Sequence, residues 1–339
     1  MSAFTVLGII AAIVLVAVLT LSFVFFLIAF YVPPRKPRDP EHIDLPEGAG
    51  YEPYWDVMRQ WVLQARALPH EKVSITSFDG LTLTGNYYEY APGAPIELMF
   101  HGYRGTAERD LAGGVLRCFQ VGRSALVVDQ RCSGGSDGSV ITFGIREHRD
   151  CLSWLDFMLE HFGPDVKIIL TGISMGASTV LMAGATQLPE NVIGILADCG
   201  YTNAKDIMYS VIRQMGFPPR PVYPLVKLGA RLFGHLDLTE ADALRAVEKI
   251  TVPVIFYHGE ADDYVPCEMS RINYEACTSR KQLVLIPGAV HGLSYPVDPQ
   301  RYLQTLTDFF GPQASYSGEP PLRSTEWTNT AIQTDTAEV

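Results

Sequence analysis

The 339-residue chain lacks charge where it begins, lacks closely paired cysteines, and lacks any excess of basic residues. Thirty-seven acidic against 26 basic side chains leave a formal charge of −11, and no basic patch is strong enough to hold a nucleic acid against that background. The six cysteines, at positions 118, 132, 151, 199, 267 and 277, form no C-x-x-C pair, which removes support for a metal site or a redox dithiol. Cys118 and Cys151 sit in apolar, helix-like windows that suit buried free thiols. Glycine at 29 and proline at 23 are ordinary usage, so neither a collagenous nor a wholly disordered chain is in view. A chain this long buries enough core to need no disulfide or metal staple.

What is present begins with an apolar run. From Met1 to Pro34 there is no charged side chain, and Phe4 to Val32 is almost continuous Ala, Val, Ile, Leu and Phe, long enough to span a bilayer. A cleaved signal carries a basic start, a shorter apolar core and a small-residue cleavage site, whereas this run ends in Phe30, Tyr31 and Val32. Residues 1–34 are therefore expected to be an uncleaved transmembrane anchor. Arg35, Lys36 and Arg38 follow at once, and the positive-inside bias puts the downstream domain on the cytoplasmic side. The alternative is an export signal with an outward-facing domain.

Residues 35–70 read as a linker followed by an amphipathic helix, in which Trp55, Met58, Trp61, Val62 and Ala65 share a face suited to core packing. From Glu71 the period changes. Lys72 to Ser77 and Leu81 to Tyr88 flank the turn dipeptide Asp79-Gly80 and predict a hairpin. Six apolar runs follow, Ile96 to Phe100, Ala125 to Val128, Val166 to Leu170, Val192 to Ala197, Val252 to Tyr257 and Gln282 to Ile286. Helical windows at Ala107 to Gln120, Ile145 to His161 and Ser174 to Ala185 separate several of them. Runs apolar on both faces and alternating with helices predict an α/β fold with a mostly parallel sheet and helices on both faces. Between Ala197 and Val252 the proline-rich gap, with helices expected at Ala204 to Met215 and Leu225 to Leu232, predicts a small helical cap over about 201–245. Residues 71–310 would form the catalytic domain, and 311–339, rich in Ser, Thr, Pro and Gly, a disordered tail.

The sharpest chemical signal is Gly172-Ile173-Ser174-Met175-Gly176. It follows one apolar run and opens a helix, the strand-turn-helix setting of a nucleophile elbow, which stands Ser174 above the sheet. A serine hydroxyl needs a base. His291, between small residues after the last expected strand, supplies one and completes the order Ser, acid, His; His101 precedes the nucleophile, and His148 and His161 read as structural. The acid should follow the strand ending near Tyr257, where Asp262 is favoured over Asp263 although spacing does not separate them. Oxyanion donors are expected at the amides of Met175 and of Tyr103, in the loop His101-Gly102-Tyr103-Arg104-Gly105. Asp129 and Arg131, a charged pair at a strand end beside a glycine-rich loop, are assigned scaffold roles together with His101 and Gly102. Glu147 and Asp150 read as favourable charges at a helix start.

With these motifs the stretch from Glu71 to Phe310 resembles a serine hydrolase of the α/β-hydrolase superfamily, in particular bacterial membrane-anchored members related to the BEM46-like and serine-aminopeptidase-like groups. The resemblance implies an eight-stranded sheet, a nucleophile at Ser174, a base at His291 and, from the H-G-x-x-D-x-x-V-P pattern, an acid at Asp262. It also matches Asp129, Arg131, Gly134, Ser136 and Gly138 to a loop in which relatives usually carry Gly or Ala at the place of Cys132. The expected activity is hydrolysis of small to medium carboxylic esters through an acyl-enzyme, with a membrane contact through the N-terminal helix, no nucleic acid partner and no metal or organic cofactor. The alternatives are a lipase or lysophospholipase, a serine aminopeptidase, and a membrane-tethered binding protein without catalysis.

Overall fold

The computed structural model describes residues 2–33, 39, 41–48 and 50–311. The basic cluster after the apolar run and the expected tail beyond residue 311 lie outside the described residues. In chain order the elements begin with α1 (Ala3–Ala29), a 3-10 turn and α2 (Trp55–Ala67), then the strands β1 (Glu71–Thr76), β2 (Thr82–Tyr88) and β3 (Ile96–Phe100). Next come α3 (Ala107–Gln120), β4 (Ser124–Val128), α4 (Glu147–Phe162), β5 (Ile168–Ile173), α5 (Met175–Gly184) and β6 (Val192–Asp198). A helical insertion, α6 (Ala204–Gln214), α7 (Pro219–Phe233) and α8 (Ala243–Val247), leads to β7 (Val254–Gly259) and α9 (Glu268–Ala276). The chain closes with β8 (Lys281–Ile286), α10 (Ser294–Val297) and α11 (Pro299–Phe310).

The eight strands form one sheet in the order β1-β2-β4-β3-β5-β6-β7-β8. Only β1 with β2 and β2 with β4 pair antiparallel; every pairing from β4 through β8 is parallel. The central strands are buried on both faces, as their unbroken apolar runs demand. On one face Leu98, Phe100, Leu126 and Leu170 pack with residues of α4, α5 and α8. On the other, Met99, Ala125 and Val127 meet α3, while Ile255, Tyr257 and Ile286 meet α11. One position in β3 breaks the apolar pattern. Glu97 is fully buried, paired with Arg117 at 2.5 Å and Arg123 at 2.7 Å, and those two guanidinium groups hold its carboxyl near about 2 against a burial effect that alone would raise it.

Two elements differ from the sequence expectation. Helix α7 starts at Pro219 instead of Leu225, because Pro219 and Pro221 fall in the first turn, where backbone N–H groups have no intrahelical acceptor and a fixed φ suits the helix. Strand β5 runs on to Ile173, carrying Gly172 into the sheet.

Helix α1 is the one helix among the described residues long and apolar enough to cross a membrane. At 27 residues it is about 40 Å long, roughly 10 Å more than a hydrocarbon core requires. Its last turns are packed into the domain. Phe26 and Phe30 are buried, Phe23 meets Phe233 of α7 at 4.9 Å between ring centres, and Phe30 meets Phe143 at 5.5 Å. Gly229 of α7 permits this approach, since a Cβ there would come within 2.1 Å of the Ser22 carbonyl oxygen. Past the helix, Tyr31 bridges Val140, and the Val32 amide donates to the Ser139 carbonyl at 2.8 Å.

Candidate active site

In a parallel sheet all βα loops emerge at the carboxyl ends of the strands, so residues distant in sequence gather at one edge. The loops after β3, β5, β7 and β8 bring Tyr103, Ser174, Asp262 and His291 to that edge. Ser174 sits between β5 and α5 with φ 57° and ψ −119°, a conformation non-glycine residues adopt only where the surroundings impose it. Those surroundings are tight. A Cβ at Gly172 would fall 2.2 Å from the Gly176 backbone, and one at Gly176 would fall 2.1 Å from the Phe100 carbonyl oxygen, so both positions admit only glycine.

The Ser174 Oγ lies 2.8 Å from His291 Nε2, and His291 Nδ1 lies 2.7 Å from Asp262 Oδ2. A carboxylate only accepts, so Nδ1 carries the proton and Nε2 is left to accept from the Ser174 hydroxyl. Burial would raise the Asp262 carboxyl, but hydrogen bonds from His258 and His291 outweigh it and hold it at about 2. Its other oxygen accepts the amides of Tyr264 at 3.0 Å and Val265 at 2.8 Å. Asp263 is exposed, and of the two adjacent carboxylates only Asp262 bonds His291.

His258 also touches Asp262, a contact the sequence reading missed although the residue stands at the end of β7 and four positions before the acid. Its Nε2 is 3.1 Å from Asp262 Oδ2 and 2.8 Å from the Val265 carbonyl, both acceptors, so Nε2 bears the proton and Nδ1 accepts from Ser270 at 2.7 Å. Two imidazoles thus grip one carboxylate. Tyr51 steadies the other side, donating its hydroxyl to the His291 carbonyl at 2.8 Å. Cys199 Sγ lies within 4.8 Å of ligand atoms of Asp262 and His291. Burial pushes its thiol well above the usual range and keeps it neutral, and the other two groups are already committed to each other.

The Met175 amide is the first of α5, and the Tyr103 amide follows Gly102, whose Cβ position is 3.3 Å from Ser174 Cβ. Neither amide has a partner among the described residues. The loop carrying Tyr103 is held from several sides. His101 is fully buried; the Gln130 amide donates to its Nε2 at 3.0 Å, so its Nδ1 donates to the Gly102 carbonyl at 2.7 Å, and burial lowers its pKa and keeps it neutral. The Tyr103 hydroxyl donates to the Ala29 carbonyl at 2.9 Å, and the Arg104 guanidinium donates to the carbonyls of Ile28 at 2.9 Å and Tyr31 at 3.0 Å. A cation and a hydroxyl therefore satisfy the orphan carbonyls at the end of α1.

Asp129 and Arg131 do brace loops, but not as a pair with each other. Asp129 accepts the amides of Ala107 at 2.9 Å and Gly135 at 3.0 Å, whereas Arg131 bonds Asp150 at 2.6 Å and Asp79 at 3.0 Å. Asp150 is accordingly an ion-pair partner of Arg131, and Glu147 accepts the amides of Thr142 at 2.8 Å and Gly144 at 2.9 Å; neither acts mainly as a charge on its helix end. Cys132, where relatives were expected to have Gly or Ala, has φ 65°, a conformation in which glycine is relaxed.

Ser174 stands where two cavities meet. One, of about 590 Å³, is lined by charged and polar groups including Glu47, Arg109, Asp110, Asp263 and His291. The other, of about 120 Å³, has no charged lining residue and runs between the cap and α1, past Phe25, Ile28, Ala29, Met208 and Val226.

The family described as serine aminopeptidase, S33, matches residues 219–298, a stretch that contains Asp262 and His291. The Bem46 protein of Schizosaccharomyces pombe is 22% identical over 247 residues, covering 71% of this chain and 77% of its own. The YqkD protein of Bacillus subtilis is 26% identical over 190 residues, 56% of this chain; the match spans 62% of YqkD, less than two thirds of its length. Among solved structures, an esterase of Pyrococcus furiosus superposes with a TM-score of 0.62 at 19% identity, covering 82% of this chain and 97% of that one. The chain has the α/β-hydrolase fold. Within that fold the eight-stranded sheet and the single edge that collects the four loops are the shared frame, and the packed end of α1 is one feature that the sequence alone did not disclose.

Proposed function

We propose that the protein is a serine hydrolase that cleaves carboxylic esters through a covalent acyl-enzyme. The observation that carries the reading is the unbroken hydrogen-bond chain from Ser174 through His291 to Asp262, opening where a cavity with charged lining residues meets one without. In this reading Ser174 Oγ attacks the ester carbonyl as His291 Nε2 takes its proton, and the amides of Met175 and Tyr103 receive the charge developing on the carbonyl oxygen. The imidazolium, stabilised by Asp262, then protonates the leaving alcohol as the C–O bond breaks. Water attacks the acyl-enzyme, His291 accepts its proton and returns it to Ser174, and the carboxylic acid departs.

His291 lines the cavity with charged residues and not the apolar one, and in this reading the leaving alcohol and the incoming water take the His291 side and the acyl group the apolar wall. That polarity favours an ester over an aminoacyl amide. An α-ammonium on the acyl portion would meet a wall without a carboxylate.

A fluorophosphonate probe tests the assignment. One adduct is expected, on the peptide containing Ser174, and a chain that takes up no probe, or takes it elsewhere, would overturn it.

The same proposal holds α1 to be a single membrane span with the catalytic domain on the cytoplasmic side, supported by its length and by Arg35, Lys36 and Arg38 beyond it. Protease added to right-side-out sealed vesicles should leave the domain intact and digest it only after lysis; digestion before lysis reverses the orientation.

A further inference from the structure

Resting on that reading, we infer that the end of the membrane helix is part of the substrate site, and that the substrate is a single-chain, membrane-partitioned acyl ester of an uncharged polar alcohol. Three features of the molecule carry this.

The wall of the apolar cavity is built from two elements far apart in sequence. Phe25, Ile28 and Ala29 of α1 face Val222 and Val226 of α7 and Met208 of α6 across a narrow channel that ends at Ser174 and Met175. With no charged lining residue, the channel suits a chain of methylenes whose transfer from water is favourable in proportion to the area covered. Two of its lining residues, Met215 and Phe217, are 55% and 54% exposed. Ile28 of α1, 51% exposed, lines the same channel, so its apolar lining reaches the outer surface on both the cap and the α1 side. An acyl chain entering beside Ile28 of α1 therefore meets uncharged lining as far as the reacting hydroxyl.

The opposite cavity is wide and of mixed lining, and the charged side chains among its described residues are Glu47, Asp110 and Asp263 against Arg109. Among the described residues Arg109 is its one arginine and is already paired with Asp110 at 2.7 Å, while Glu47 and Asp263 also line it. A phosphate on the leaving group would be repelled there, whereas a neutral hydroxylated one finds acceptors. The acyl-side cavity, about 120 Å³ against about 590 Å³ on the other side, suits one chain.

The test uses the full chain in detergent micelles with 4-nitrophenyl acetate and 4-nitrophenyl dodecanoate, followed by 1-monododecanoylglycerol and its phosphate-bearing counterpart, a lysophosphatidic acid of the same chain. The dodecanoate is expected to exceed the acetate in kcat/KM by at least about 10-fold. Ala29→Trp or Ile28→Trp, which fill the channel, should lower the dodecanoate-to-acetate ratio at least about 10-fold, and Phe25→Ala, which widens it, should move the preferred chain to longer acyl groups. The monoacylglycerol should be cleaved faster than the lysophosphatidic acid. A wild-type enzyme that labels with fluorophosphonate but cleaves acetate as well as dodecanoate overturns this inference alone. Variants that lower both rates equally, with the ratio and the preferred length unmoved, assign α1 a purely structural role and overturn it too, as does a preference for the phosphate-bearing lipid. Absence of probe labelling together with absence of hydrolysis of every ester overturns the underlying serine-hydrolase reading instead.

Discussion

Ser174→Ala is expected to lower kcat on any ester the protein accepts by at least about 10⁴-fold and to abolish fluorophosphonate labelling. The alanine keeps the backbone at φ 57°, because the strain is imposed by Gly172 and Gly176 and their neighbours and not by the hydroxyl. What is lost is one hydrogen bond to His291 at 2.8 Å, so the effect on stability should stay near about 1 kcal/mol, a shift of a few degrees at most in melting temperature for a domain of this size. Melting curves and steady-state rates measured together separate the two. A variant that melts normally and still turns over ester at the wild-type rate would remove Ser174 from the chemistry.

Asp262→Asn should cost about 10⁴ in kcat, while Asp263→Asn should stay within about threefold of wild type. The carboxylate at 262 accepts four hydrogen bonds, two imidazoles on one oxygen and two amides on the other, and an asparagine there would turn its NH2 donor either toward the two ring nitrogens that already carry protons or toward the Tyr264 and Val265 amides. The His291 tautomer that leaves Nε2 free for Ser174 would lose its support. Because the folded-state pKa of Asp262 is depressed to about 2, the stability its bonds contribute is fully present above the unfolded value near about 4 and is lost as pH falls toward 2. The asparagine variant should therefore lose stability at neutral pH and show a shallower acid transition between those limits, visible in melting temperatures from pH 2 to 7. A normal rate in Asp262→Asn beside a collapse in Asp263→Asn would transfer the acid to the neighbouring position.

The sheet was legible because its central strands are short apolar runs with no competing period, and the elbow because two glycines, a serine and a helix start leave little else for the chain to do. Spacing could not choose between Asp262 and Asp263. That choice depends on the turn after β7, in which the Tyr264 and Val265 amides fold back onto one carboxylate. Other features were hidden for a related reason: their partners are distant in sequence. Glu97 looks like a flaw in an apolar strand until Arg117 and Arg123 are found beside it, and Arg131 looks like a partner for nearby Asp129 until Asp79 and Asp150 claim it. The start of α7 was obscured by the habit of reading proline as a breaker, which fails in a first turn. Hydropathy described α1 as a span and nothing more, because no pattern within an all-apolar helix marks the turns that will meet a cap.

The way α1 ends has a practical reach. Cutting the chain before the α/β body, the usual route to a water-soluble preparation, would take Phe30 from Phe143 and Phe23 and Phe26 from Phe233, uncover the groove at Gly229, and deprive Tyr103 and Arg104 of the carbonyls they cap. What remained would be a protein with an opened flank and an untethered loop beside its serine, and its kinetics would describe that damaged object.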